Sequence, residues 1–311
     1  MVHNVAIIGS GPAGYTAGLY TARASLKPIL FLGNKEGGQL MLTSEVENFP
    51  GFVDGKTGPE MMEVLKKQAE KFGTQYIEND VIKFEKKGDN YLLTTSKETF
   101  EAKTVIIATG ASTRWLGLES EKKYIGKGVS SCANCDAFFF KNKSVFVIGG
   151  GDSACEEALQ LTKFAATVTM VHRRDELRAS KVMQERVKTH EKMNIIWDSV
   201  VEEVLGDEKE VIGIKLKNLK TEEISEHKTD GIFVSIGHTP NTKIFEGLVD
   251  LDEKGYVKAS RTMHTNLPGV FVCGDVQDTR YKQAITASGT GCMAALEAEW
   301  FIEGNKVERE N

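Results

Sequence analysis

Residues 5–24 read VAIIGSGPAGYTAGLYTARA. Four apolar residues run into Gly9-x-Gly11-x-x-Gly14, and an alanine-rich run follows. Strand, glycine turn and helix, in that order, are the context a dinucleotide fingerprint requires. Gly9 makes the tight turn, Gly11 lets the backbone approach a pyrophosphate, and Gly14 lets the helix pack on the strand. The helix N-terminus adds free N–H groups and a partial positive charge for the phosphates. The next strand, Pro28–Leu32, ends at Gly33. An acid is expected there to hold a ribose hydroxyl. Asn34, Lys35 and Glu36 follow instead, so ribose contacts must be built differently. Gly37-Gly38-Gln39 and Glu45–Gly51 place backbone and polar groups where a ligand could approach, although a plain surface loop accounts for the same residues.

The pattern returns at residues 145–164, VFVIGGGDSACEEALQLTKF, with Gly149-x-Gly151-x-x-Ala154. Two such units in one chain predict two dinucleotides. The second differs after its next strand, Thr167–Val171, which ends in His172-Arg173-Arg174-Asp175 with Arg178 one helical turn further on. His172 stands where an NAD site carries an acid. Guanidinium groups suit a 2′-phosphate, because each can donate two charge-assisted hydrogen bonds. The second unit therefore predicts NADPH over NADH; a basic helix start on the surface is the plainer alternative. Gly231–Gly237 then echoes Val105–Gly110, an apolar strand ending in a small-residue turn. The fold class is α/β, with two Rossmann-like dinucleotide-binding domains.

Between the two units lies Cys132-Ala133-Asn134-Cys135-Asp136. Two thiols at this spacing can close a disulfide, and one can resolve a mixed disulfide formed by the other. The same pair is also half a zinc site. No second CxxC and no HxxxH supplies the other half, so no metal is expected, and the flanking fingerprints favour redox chemistry. Cys155, Cys273 and Cys292 read as small buried hydrophobes. Thr57–Phe72 reads as an amphipathic helix with Met61, Leu65, Ala69 and Phe72 on one face and Gly73 as its stop. Residues 74–103 read as short strands around a turn at 87–90. Residues 269–276 form a strand ending in Gly274-Asp275. A long helix follows over Ala284–Ile302, with its positive end near Gln283 and with Met293, Leu296 and Trp300 as core residues, an exposed Trp or Phe partner surface being the sharper alternative.

Hydrophobic residues at 41% can fill real cores, and 311 residues suggest two domains. A net charge of −5 argues against nucleic acid, which favours a basic face. No run of about 18 apolar residues is present, so no membrane span is expected. The start passes directly into the strand-like Val5–Ile8 without a signal-peptide pattern. The chain reads as cytoplasmic, where a CxxC is catalytic or metal-binding more often than structural.

Taken together, GSGPAG (9–14), GGQL (37–40), EVENFPG (45–51), ATGA (108–111), CANCD (132–136), GGGDSACEEA (149–158), HRRDELR (172–178), IGHTPNT (236–242), GDV (274–276) and QAITASGTGCMAA (283–295) closely resemble the low-molecular-weight thioredoxin reductases over nearly the whole chain. The resemblance implies a discontinuous FAD domain, 1–112 and 245–311, with an NADPH domain inserted at 113–244. It implies FAD at Gly9, Gly11, Pro12, Ala13, Gly14, Gly38, Gln39, Asn48, Val81, Ala108, Thr109, Gly110, Gly274, Asp275, Lys282, Gln283 and Ala284. NADPH falls to Gly149, Gly151, Asp152, Ser153, Ala154, His172, Arg173, Arg174 and Arg178, with Ile236 as a backbone neighbour.

By the same resemblance, electrons pass from NADPH through FAD and the Cys132–Cys135 pair to oxidised thioredoxin. Cys135 is the sulfur nearer the flavin, Cys132 attacks the partner, and Asp136 is the acid/base. A homodimer is implied, and so is rotation of the NADPH domain about linkers near 112–118 and 238–246. Phe138, Phe139 and Phe140 resemble an aromatic docking element, with burial as the alternative for each. Lys282, Lys127 and Ala137 depart from the residues frequent in the family. The ending, Lys306–Asn311, shows no C-terminal redox tail. A ferredoxin-NADP reductase would lack the dithiol, a peroxide-system reductase would carry an extra N-terminal domain, and a small-molecule disulfide oxidase would lack His-Arg-Arg. A non-catalytic flavoprotein or a zinc-stabilised module is the rival from another class.

Overall fold

The structure, a computed structural model, describes residues 1–43 and 45–304. Lys306–Asn311 lie outside the described residues. The chain divides into two compact units, 1–112 with 239–311, and 113–238.

The first unit begins with β1 (Val2–Ile8), whose last four residues are buried. Helix α1 (Pro12–Arg23) follows, with Gly11 as an N-cap that offers no side chain and Pro12 fixing the first turn. β2 (Ile29–Phe31) is wholly buried. α2 (Gly58–Lys71) starts from a capping box: Glu60 N–H donates to Thr57 Oγ1 at 3.3 Å, and Thr57 N–H donates to Glu60 Oε2 at 3.0 Å. Met61 and Ala69 are buried as the period predicts. Phe72 is not: it is the C-cap residue, lies outside the last turn, and is 40% exposed beneath the Arg23 guanidinium. β3 (Gln75–Ile77), β4 (Lys83–Lys87), β5 (Asn90–Thr94), β6 (Thr99–Ile107) and β7 (Ala111–Thr113) complete this segment.

The second unit contains α3 (Glu119–Tyr124), β8 (Val129–Ser130), α4 (Ala133–Asp136), β9 (Ser144–Ile148), α5 (Asp152–Leu161), β10 (Thr167–Val171), α6 (Lys181–Thr189), β11 (Met193–Ile196), β12 (Ser199–Gly206), β13 (Val211–Asn218), β14 (Ile224–Lys228) and β15 (Gly231–Val234). Its parallel sheet runs β11-β10-β9-β15-β8, so β9 sits at the point where strand order reverses. An antiparallel sheet, β12-β13-β14, forms a separate layer. Residues 173–178 are a loop of bends before α6, so Arg178 is not on a helical turn; the chain must first bring Arg178 and Ala179 N–H to the Gly150 carbonyl, at 2.7 and 3.2 Å.

β16 (His238–Pro240) pairs with β7, and the chain re-enters the first unit at 238/239 rather than at 244/245. The reason is local. Asn241 accepts from Ser112 Oγ at 3.0 Å and donates to the Thr109 carbonyl at 2.8 Å, while Phe245 is fully buried against Phe84. β17 (Val270–Val272) and α7 (Ala284–Ile302) follow. The sheet of the first unit runs β3-β2-β1-β6-β5-β4. β6 is long enough to serve two neighbours: residues 99–102 pair with β5 and residues 105–107 with β17. α7 buries Ala287, Gly291, Ala294, Ala295 and Ala298, while Met293 and Trp300 are about two-fifths exposed. Close approach to α1 explains this reversal of the expected core face. A Cβ on Gly291 would lie 2.3 Å from the Ala13 carbonyl oxygen, so only small residues fit the contact.

Candidate functional site

In the first unit Gly9, Gly14, Ala108 and Gly274 come from both chain segments to the carboxyl ends of β1, β6 and β17. A Cβ on Gly9 would meet the Ala108 carbonyl oxygen at 2.3 Å, and one on Gly14 would meet the Gly9 carbonyl oxygen at 1.9 Å. These two glycines are required by packing. Gly11 differs: a Cβ there would meet nothing within 4 Å. Open space in front of an uncapped helix N-terminus fits a diphosphate. Gly38 lies over this turn, its would-be Cβ 3.6 Å from the Gly11 Cα. Gly274 sits against Ala13, and Asn48 Nδ2 donates to Gln283 Oε1 at 3.4 Å. Gln283 caps α7, leading into Ala284. Burial, reinforced by Asp278 and opposed by Lys282, pushes the Asp275 carboxyl up to about 6. Lys282 also lays its ammonium over the Tyr256 ring. Gln39 and Asn48 are exposed, Thr109 and Gly110 are half-buried, and Val81 is buried in the apolar cluster with Phe84, so its side chain packs rather than faces a site.

Sequence reading missed three residues here. Ser10 Oγ donates to the Leu32 carbonyl at 2.7 Å and accepts from Gly37 N–H at 3.1 Å, tying the fingerprint turn to the glycine loop. Asp80 accepts from the Asn34 amide and side chain. Glu36 accepts from the Tyr15 hydroxyl at 3.1 Å and pairs with Lys66 at 2.6 Å. Ser10 stood inside the fingerprint itself; nothing local marks Asp80.

The second unit repeats the construction. A Cβ on Gly149 would meet the Ser235 carbonyl oxygen at 2.4 Å and the Ala154 Cβ at 2.8 Å, whereas one on Gly151 would meet nothing within 4 Å. α5 has no side-chain cap. Asp152 accepts from Ser180 N–H at 2.9 Å, a bond that holds its carboxyl below the usual range. Ser153 is exposed. His172 is buried beside Gly150, and its Nε2 has no hydrogen-bond partner among the described residues. Burial, then the positive charge of Arg178, Arg174 and Arg173, keeps its pKa below the ordinary imidazole value. Those three arginines are exposed and form no ion pair among the described residues. Guanidinium groups around a buried, unpartnered imidazole suit a phosphomonoester. Ile236 is 36% exposed beyond the end of β15.

The cysteines of CANCD are joined. Cys132 and Cys135 form a disulfide with their Cα atoms 5.3 Å apart, across the short helix α4. Cys132 N–H donates to Ser130 Oγ at 3.1 Å, and Cys135 and Asp136 N–H both reach the Cys132 carbonyl. Burial raises the Asp136 carboxyl pKa, with a hydrogen bond to Ser130 opposing. Phe138 is 62% exposed, whereas Phe140 is buried with its ring 5.2 Å from that of Phe233. Cys155 and Cys273 are buried and burial raises both thiols, Cys155 to about 11; Cys292 is half-buried.

Two glycine turns shaped for diphosphates, one bearing arginines, and a CxxC disulfide define a nucleotide-dependent disulfide oxidoreductase. The match of residues 3–291 to the model of that family agrees with this class. The chain belongs to the pyridine nucleotide-disulphide oxidoreductases. It is similar to the thioredoxin reductase of Streptomyces coelicolor, 55% identical over 97% of this chain and 94% of that one. The thioredoxin reductase of Coxiella burnetii is 50% identical over 97% of each chain. Among solved structures, the thioredoxin reductase of Streptococcus pyogenes matches with a TM-score of 0.94 at 42% identity, covering 97% of this chain and 99% of that one.

Proposed function

We propose that the chain reduces the disulfide of thioredoxin, taking electrons from NADPH through FAD and the Cys132–Cys135 pair. The observation that carries this reading is the Cys132–Cys135 disulfide, which lies in a nucleotide-type unit of a chain 55% identical to a thioredoxin reductase. FAD and NADPH are the cofactors of that family. We assign FAD to the first unit, at the residues gathered around Gly11 and Asp275, and NADPH to the second, at Gly151, His172 and the three arginines. When bound, the two cofactors supply an electron pair that leaves both thiols reduced.

The chain's own part follows from thiol chemistry. Cys132 Sγ, as thiolate, attacks one sulfur of the partner's disulfide. That bond breaks, a mixed disulfide to Cys132 forms, and the released sulfur takes a proton. Cys135 Sγ then attacks Cys132 Sγ, which restores the intramolecular disulfide and releases the partner as a dithiol. Asp136 follows Cys135 directly. Its raised pKa makes its carboxyl a better proton holder, suited to giving and taking the proton at Cys135 Sγ.

The exposed ring of Phe138 is the docking contact for thioredoxin in this reading. Among the described residues no helix is long and apolar enough to cross a membrane; the cytoplasmic location rests on the family resemblance. The homodimer rests on the family resemblance, and sedimentation velocity tests it. The decisive experiment is an anaerobic NADPH titration followed by oxidised thioredoxin, read on the flavin spectrum. The protein should bleach and then recolour. A Cys132→Ser variant should bleach and stay bleached; normal turnover by that variant would remove the assignment.

A further inference from the structure

The antiparallel sheet β12-β13-β14 reaches the arginine loop through one hairpin. Its tip, 218–223, joins β13 to β14. Asn218 Oδ1 accepts from Lys220 and Thr221 N–H at 2.9 and 3.0 Å, which fixes the tip as an Asx turn. Leu219 N–H donates to the Asp198 carbonyl at 2.6 Å, and Asp198 N–H donates to the Arg174 carbonyl at 3.3 Å. The hairpin tip is thereby tied to the arginine loop through Asp198. The Lys220 ammonium then meets Asp175 Oδ2 at 3.1 Å and Asp198 Oδ2 at 3.0 Å. Asp175 directly follows Arg174 in the chain. Lys220 holds its carboxyl below the usual range, so Asp175 is charged at neutral pH.

The balance of charge on this loop is close. Arg173, Arg174 and Arg178 share the stretch 173–178 with Asp175 and Glu176, and Asp198 is hydrogen-bonded to it. Three cations thus stand with three carboxylates, a set that offers a phosphomonoester dianion little net attraction. Lys220 is a further cation, supplied by a different sheet, and it lies on two of those three acids. An exposed ion pair of this kind adds little to the stability of the fold. Its effect falls on the field at the loop, where local charge decides whether an anion is drawn in. We propose that Lys220 is a positioning residue for 2′-phosphate selection. By neutralising Asp175 and Asp198 it leaves the three guanidinium groups net positive toward the dianion. It acts through the two acids and not by touching the phosphate. The inference rests on the second unit being the NADPH site.

The test is calorimetric binding, with no turnover, of 2′,5′-ADP, NADP+ and NAD+ to the oxidised holoenzyme. Lys220→Gln should weaken 2′,5′-ADP and NADP+ by roughly threefold to tenfold at low salt, the effect of removing one charge beside a dianion at a surface. NAD+, which has no 2′-phosphate, should change by less than about twofold. Asp175→Asn should tighten the two phosphate ligands by a similar factor, and the double variant should return to within about twofold of the wild type. All these differences should shrink at about 0.5 M salt, where the screening length is only ~4 Å. Lys220→Arg, which keeps the charge, should keep the wild-type preference. If Asp175→Asn weakened the phosphate ligands as Lys220→Gln does, with no recovery in the double variant, the pair would be a structural brace and the inference would be overturned. Unchanged 2′,5′-ADP affinity in Lys220→Gln, or a loss shared equally by NAD+, would overturn it as well. A wild type that bound neither 2′,5′-ADP nor NADP+ would instead refute the NADPH site itself.

Discussion

Alanine at Gly11 and alanine at Gly14 should separate ligand binding from folding within one turn of chain. At position 14 the new Cβ would lie 1.9 Å from the Gly9 carbonyl oxygen. That atom is backbone at the end of β1, and Gly9 is itself wedged against the Ala108 carbonyl. The helix must lift off the sheet, and overpacking of this kind costs about 1–3 kcal/mol or more. A unit of this size loses ~2–4 °C of Tm per kcal/mol, so the Gly14→Ala melting point should fall by roughly 2–12 °C. At position 11 the new Cβ meets nothing, and the backbone there is extended at φ −72°, which alanine adopts freely. Its folding cost should stay below about 1 kcal/mol. The methyl group does, however, fill the space where a diphosphate would approach the α1 N–H groups. Calorimetry of the flavin-stripped proteins reads the first quantity, and flavin retained per chain after gel filtration reads the second. Gly11→Ala should melt near the wild type and retain little flavin. If it melted as low as Gly14→Ala, or kept a full complement of flavin, the reasoning would be wrong.

Replacing Arg173 and Arg174 together by alanine should weaken NADPH by about a hundredfold or more while leaving NADH nearly unchanged, because two charge-assisted bonds at ~1.5–3 kcal/mol each are lost only with the 2′-phosphate; matched titrations of the two nucleotides check this. Asp275 has its folded pKa raised to about 6 by burial, above the value of 3.8 for a free carboxyl. Its cost to the flavin-stripped fold is therefore present above about pH 6, up to ~3 kcal/mol, and fades as pH falls toward 4. Asp275→Asn should raise the Tm of that protein at pH 7.5 and flatten its response between pH 4 and 6, and melts across this range decide it. Phe140→Ala should cost about 3–5 kcal/mol in chemical denaturation, because it empties the contact with Phe233. Phe138→Ala should change stability by no more than ~0.5 kcal/mol yet raise the KM for thioredoxin.

What the sequence made legible is what neighbouring residues determine together. The two glycine turns depend on six consecutive residues each, and the disulfide on four, so spacing alone carried them. α2 was legible because its cap, period and stop are all local; Phe72 escaped only because the period does not say where the last turn ends. α7 was harder. Its sequence is apolar on every side, so composition could not choose a face, and the large residues looked like the core. The choice was made by α1, whose backbone at Ala13 comes so near Gly291 that only small residues fit between the helices. Phe138 and Phe140 pose the same difficulty. Three successive phenylalanines look alike, and only the distant Gly231, whose would-be Cβ would lie 2.2 Å from the Phe140 ring, shows that Phe140 points inward.

The missing acid after β2 marks the limit most clearly. A carboxylate does stand three residues past Gly33, at Glu36, but it is held by the Tyr15 hydroxyl and by Lys66 from α2. Burial, reinforced by Glu36, lifts the Tyr15 pKa, so the phenol stays a proton donor at any working pH. Asp80, from beyond β3, fastens Asn34, and Ser10 fastens Gly37. The loop is thus fixed by groups 21 to 46 residues away in sequence. Each bond spends a polar group that a local reading would have offered to a ribose. Deleting one of them should therefore loosen the loop rather than remove a ligand contact. Tyr15→Phe leaves the Glu36–Lys66 pair half-exposed and worth little, so flavin should dissociate faster from this variant while the bound flavin spectrum stays unchanged. A spectrum altered in the bound state would mean that Tyr15 or Glu36 faces the ligand after all.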